Sequence, residues 1–123
     1  MQDVIIDKLR NAKYKVEKYL GKGSFAICYI LRRNIHDLFA GKLIPYSELK
    51  RESKKQVKTE IEIQKSVDHE NIVKYFSHFD ALFNGSKHLV IVLELCQIWT
   101  KKFFCILSIM LETRVLFGFI FNE

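Results

Sequence analysis

Two glycines set between strand-like runs constrain this chain more than any other feature. In Leu20-Gly21-Lys22-Gly23-Ser24-Phe25-Ala26-Ile27-Cys28, Gly21 and Gly23 supply the backbone freedom that a tight connection needs. Tyr14 to Leu20 and Ala26 to Arg32 are therefore read as the two strands of a hairpin. Phe39 to Ile44 reads as a third strand, ended by Pro45, which cannot donate to a continuing ladder. Ser53-Lys54-Lys55-Gln56 has the form of a capping box and predicts a helix running to about Val67. Val57, Glu60, Ile61, Gln64 and Val67 then fall three and four apart and share a face, which sets the acid Glu60 on an apolar stripe. Val73 to Phe79 and Leu89 to Leu95 read as two more strands, split by the turn-forming Asn84-Gly85-Ser86.

Chain length limits what these elements can build. A chain of 123 residues, 49% apolar, suffices for one small core and is too short for two lobes. The net charge of +6 would suit an anionic partner. However, Lys50, Arg51, Lys54, Lys55 and Lys58 alternate with Glu48, Glu52, Glu60 and Glu62, the pattern of a solvated helix face. No aromatic interleaving or nucleic-acid motif accompanies them, so nucleic acid is not expected as a partner. Cys28, Cys96 and Cys105 are odd in number and widely spaced, which fits reduced thiols in a cytoplasmic or nuclear protein and no metal site. His36, His78 and His88 lack a partner pattern and are read as surface or core residues. Met1 to Asp7 has neither the basic start nor the longer apolar stretch of a secretory signal. The tail is more apolar, from Phe103 to Leu111 and again from Val115 to Phe121. Glu112 and Arg114 interrupt it near the middle and weigh against a membrane span. Such a tail would either need a partner surface to cover it or carry an aggregation risk.

Each candidate residue has a plain reading by itself. The glycine turn could be a simple hairpin, Lys42 a surface lysine, Glu60 a rim carboxylate. Their joint order is more specific. A glycine turn, a lysine two strands later, an acid on a helix and an apolar strand ending Leu93-Glu94-Leu95-Cys96 follow the order and approximate spacing that a nucleotide site requires.

These residues carry a resemblance. Residues 14–96 look like the N-terminal lobe of a eukaryotic Ser/Thr protein kinase, most like the polo-like kinase family. The cues are Leu20 to Tyr29, Phe39-Ala40-Gly41-Lys42-Leu43-Ile44-Pro45, Glu60-Ile61, His69-Glu70-Asn71-Ile72-Val73 and Leu93-Glu94-Leu95-Cys96. Ala26 and Cys28, which depart from the general glycine-rich loop, are the variants that the polo-like group uses. The resemblance implies an α+β fold, a five-stranded antiparallel sheet with one main helix, preceded by an extension over 1–13 and followed by a divergent apolar tail over 97–123. It implies ATP as ligand. The loop Gly21, Lys22, Gly23, Ser24, Phe25 and Ala26 would cover the phosphates, and Lys42, ion-paired to Glu60, would contact them. Leu20, Cys28 and Ala40 would sandwich the adenine, Leu93 would sit at the back, and the Glu94 carbonyl and Cys96 N–H would read its polar edge. His69 would cap or pack at the turn after the helix.

The resemblance stops after Cys96. No aspartate follows Asp80, so the H-R-D catalytic loop and the D-F-G metal ligand of a protein kinase are missing, and Gln97 to Glu123 offer only Glu112 and Glu123 as carboxylates. The expectation is an ATP-binding portion of a polo-like Ser/Thr kinase, a transferase by family, truncated before its catalytic loop. Such a lobe would be inactive alone, with ATP affinity weak or lost and no magnesium site. An incomplete gene product is one origin for such a chain. The alternatives are a non-catalytic interaction module that pairs with a kinase and a basic protein that binds anionic surfaces.

Overall fold

The computed structural model describes residues 3–22, 26–66 and 73–95. Six strands and one main helix make up this part of the chain: β1 (Val4–Asp7), β2 (Ala12–Lys22), β3 (Ile27–Arg32), β4 (Leu38–Pro45), α1 (Arg51–Ser66), β5 (Tyr75–Phe83) and β6 (Ser86–Glu94). All pairings are antiparallel, and the strand order is β1-β2-β3-β4-β6-β5. The α+β class and the sheet-plus-helix plan expected from the sequence are those observed, but the sheet has six strands instead of five. The additional strand, β1, lies within the stretch read as an extension. Its four residues alternate exposed and buried, and Ile5 and Asp7 point inward.

Tight turns set the register. Between β5 and β6, Asn84 and Gly85 both adopt positive φ, 51° and 79°, which suits a two-residue connection whose twist matches the strands. Between β1 and β2, Asn11 takes a φ of 52°, and the buried Asp7 carboxylate accepts from both the backbone N–H and the guanidinium of Arg10. Between β3 and β4, the Asn34 side chain accepts from the backbone N–H groups of His36 and Asp37.

Each face of the sheet buries its own core. On the helix side, Ala26, Cys28, Ala40, Ile44, Ile91 and Leu93 pack with Leu49 and with Val57 and Ile61 of α1. On the other side, Ile5, Tyr14, Val16, Leu31, Leu43, Phe79, Val90 and Val92 form a second core, and Tyr14 stacks on Phe79 with ring centroids 5.7 Å apart. The outermost strands β1 and β5 touch, so the sheet curls round this second core. Two register shifts in β2, after Val16 and after Tyr19, carry that strand from one core to the other. Tyr14 and Val16 face the curled side, and Leu20 packs on the helix side.

Gly41 is a packing necessity. A Cβ there would lie 2.3 Å from Cδ1 and 2.6 Å from Cγ of Leu31, whose side chain is fully buried and fills the space above the glycine.

The helix opens earlier than the capping box suggested. Its first residue is Arg51, and the Lys50 carbonyl accepts from Lys54 N–H, so Ser53 lies inside the first turn. Gln56 reaches forward to the Glu60 carboxylate, 3.3 Å away. Val57, Ile61 and Gln64 are the buried side chains of α1, and the Gln64 amide donates to the Val73 carbonyl. Val67, placed at the end of the helix from sequence, and His69 lie outside the described residues.

Candidate nucleotide-binding site

Strand alternation brings the site together. Along β4, Ala40, Lys42 and Ile44 face the helix side, while Phe39, Gly41 and Leu43 face the other core. Cross-strand pairing sets Cys28 beside Lys42, Gly21 beside Cys28, and Leu93 beside Ala40. Ala26, Cys28, Ala40 and Leu93 thus form one apolar surface, with Leu20 and Leu95 packed at its margin. The small side chains at positions 26, 28 and 40 keep that surface low.

Lys42 is the exceptional member. It is only 8% exposed, in a strand whose other helix-side residues are apolar. Burial pushes its ammonium below the ordinary lysine range, because a charge taken from water loses hydration. The carboxylate of Glu60 opposes that shift from α1, so the lysine and the acid picked out by sequence do lie within electrostatic reach of each other. Glu60 itself is half-buried.

The Cys28 thiol is also altered. Burial pushes it up to about 11, and the neighbouring Lys42 offsets only part of that rise. It is therefore a protonated, apolar filler at neutral pH and a poor nucleophile.

Other sequence-derived candidates fall around this centre. Lys22 is exposed at the end of β2, opposite Ile27. Glu94 closes β6, where its backbone N–H donates to the Lys74 carbonyl at 2.8 Å and its carboxylate accepts from Lys74 N–H at 3.1 Å. Gly23, Ser24, Phe25 and Cys96 lie outside the described residues. Among the described residues, no group of histidine, cysteine, aspartate and glutamate is placed to hold a metal ion.

Residues 14–116 match the protein kinase domain. The chain belongs to the protein kinase family. Within that family it is similar to polo-like kinases. It is 41% identical over 96 residues to the serine/threonine-protein kinase plk-2 of Caenorhabditis elegans, covering 76% of this chain and 15% of the relative. It is 39% identical over 93 residues to a probable serine/threonine-protein kinase PLK of Dictyostelium discoideum, covering 74% and 9%. It is 37% identical over 97 residues to the serine/threonine-protein kinase polo of Drosophila melanogaster, covering 77% and 16%. The kinase-domain match runs past Cys96 into the apolar tail, and the chain spans less than a fifth of the length of each of these relatives.

Sequence reasoning missed two features of this kinase domain. The joint motif pattern assigned Lys42 to the site, but its burial was not read, because the alternation Ala40, Lys42, Ile44 says only which side of the strand the lysine faces. It also missed a groove between α1 and the β5–β6 hairpin, whose floor comes from residues distant in sequence.

Proposed function

We propose that these residues form the nucleotide-gripping part of a polo-like Ser/Thr protein kinase. The observation that carries this reading is the buried Lys42, set on an apolar surface of small side chains with the charge of Glu60 acting on it from α1. A buried ammonium costs stability, and a lysine kept there suits an anionic ligand.

Lys42 would attract the α- and β-phosphates of ATP, and Glu60 would hold its ammonium in place. The small residues Gly21, near the end of β2, Gly23 and Ala26 would let backbone N–H groups approach the phosphates. Leu20, Cys28, Ala40 and Leu93 would supply apolar contact to the base, and Glu94 and Cys96 would read its polar edge. The aspartates that phosphoryl transfer uses as base and metal ligand are not found after Asp80 in these 123 residues. This chain alone would therefore bind nucleotide weakly and not turn it over. A second reading, a non-catalytic interaction module, draws on the lysines of α1.

Titration with a fluorescent ATP analogue tests the proposal. Lys42→Met should lower affinity by at least about tenfold, as expected for a lost charge-assisted phosphate contact. Its thermal midpoint should fall, because the half-buried Glu60 loses the charge that faces it, so folding is checked by circular dichroism. Equal affinity in a folded Lys42→Met variant would show that the site does not grip phosphate.

A further inference from the structure

Tyr19 breaks the alternation of its strand. Upstream, Tyr14 and Val16 turn their side chains into the curled core. Strict alternation would then put Lys18 and Leu20 on that side and Tyr19 on the helix side. The pairing of β2 with β3 changes this in two steps. Val16 pairs with Leu31 and Tyr19 with Tyr29, so β2 gains one residue on β3. Gly21 then pairs with Cys28, so β2 gains another. Each step holds an extra residue in the manner of a bulge, and Tyr19 sits between the two.

The Tyr19 ring is docked although the residue is 56% exposed. It meets Tyr29 edge to face, with centroids 6.1 Å apart and planes at 75°. Tyr29 meets Phe83 in the same manner at 5.7 Å and 62°, and Phe83 meets His88 at 5.6 Å and 85°. Phe83 and His88 are buried on either side of the β5–β6 turn. A row of rings thus ties the irregular part of β2 to the β5–β6 hairpin. Leu20 and Gly21 follow Tyr19 directly. Leu20 packs on the helix side, and Gly21 lies opposite Cys28, which faces that side. A strand with an extra residue can place it at neighbouring positions, and a slip of one residue would turn Leu20 to the curled side. Docking Tyr19 on Tyr29 excludes that slip.

We propose that Tyr19 is a positioning residue for the nucleotide: its ring, held on Tyr29 and through it on Phe83, keeps Leu20 and Gly21 turned toward the ligand. Tyr19 lies on the face of the sheet opposite Lys42, so it acts without touching the ligand itself. The inference rests on the nucleotide reading given above. Loss of the ring lowers the fraction of chains in which Leu20 and Gly21 face the ligand, and the apparent affinity falls with that fraction.

Titration of the full chain with the fluorescent ATP analogue, well below the thermal midpoint, tests it. Tyr19→Ala should weaken binding by about three- to tenfold, the factor that one edge-to-face aromatic pair can supply. Tyr19→Phe, which keeps the ring, should bind as the wild-type chain does. Folding is checked by circular dichroism, and Tyr19→Leu serves the same test should the alanine variant unfold. In NMR spectra at saturating analogue, Tyr19→Ala should reduce the ligand-induced shifts at Leu20 and Gly21 and keep those at Lys42 and Leu93. A ring that only stabilised the fold would lower the thermal midpoint and leave the affinity of the folded chain unchanged. Equal affinity of wild type and folded Tyr19→Ala, or failure of Tyr19→Phe to restore it, would overturn this inference alone. Absence of analogue binding by the wild-type chain would overturn the nucleotide reading and this inference with it.

Discussion

Lys42 and Gly41 are neighbours in sequence with opposite duties. Lys42 faces the helix side, where its charge is held at a cost in hydration. Gly41 faces the curled side, where the absence of a side chain makes room for Leu31. Gly41→Ala should therefore destabilise the protein by about 1–3 kcal/mol, the usual cost of overpacking a filled core. Chemical denaturation would show this as a lower midpoint with an unchanged slope, and an unchanged midpoint would mean that Leu31 moves aside without penalty. The alternation along β4 was legible in the sequence from Ala40, Lys42 and Ile44. The burial of Lys42 was not, because it depends on α1 and β6 closing over a strand whose own pattern only says which side the lysine faces. The crowding at Gly41 was likewise hidden, because it arises from the rotamer of a residue on the next strand.

Among the elements, α1 is the least firmly attached. Two apolar side chains, Val57 and Ile61, and one amide, Gln64, are the buried anchors of a sixteen-residue helix. Burying each apolar anchor contributes about 2 kcal/mol, so the position of Glu60 rests on a small contact area. The stripe of α1 was legible from spacings of three and four. Its first turn was not, because the Lys50 carbonyl opens the helix three residues before Ser53, the first of the polar side chains that looked like a cap. β1 went unread because four residues carry too little pattern to mark a strand without its partner, β2. Strand β5 adds a pH dependence. His78 pairs through Nδ1 with the Tyr75 hydroxyl at 2.6 Å. Burial, then Lys65 and Arg10, keep its proton off, and Asp80 works the other way. The unfolded chain takes up that proton below about pH 6.5, before the folded chain does. Stability should therefore fall as pH drops below about 6.5, and His78→Gln should flatten that part of the profile. An identical profile in the variant would assign the acid sensitivity to other groups.

At the scale of the whole molecule, the two cores explain why a short kinase segment can hold a defined site. The curled side, with Tyr14, Phe79, Phe83 and the aliphatic residues around them, stiffens the sheet. The helix side then presents Ala26, Cys28, Ala40, Lys42 and Leu93 as a prepared surface. Most of that surface was legible in the sequence, because short-range alternation and the order of the motifs both point to it. The groove beside α1 was not, because its walls join residues from before the helix, within it and beyond it. The central claim is that the helix-side surface grips nucleotide, and the most direct measurement is an NMR titration of the full chain with a non-hydrolysable ATP analogue, up to about millimolar concentration. Shifts concentrated at Leu20, Gly21, Ala26, Cys28, Ala40, Lys42 and Leu93 are the predicted result. Shifts that are absent, or that gather instead at the lysines of α1, would contradict it.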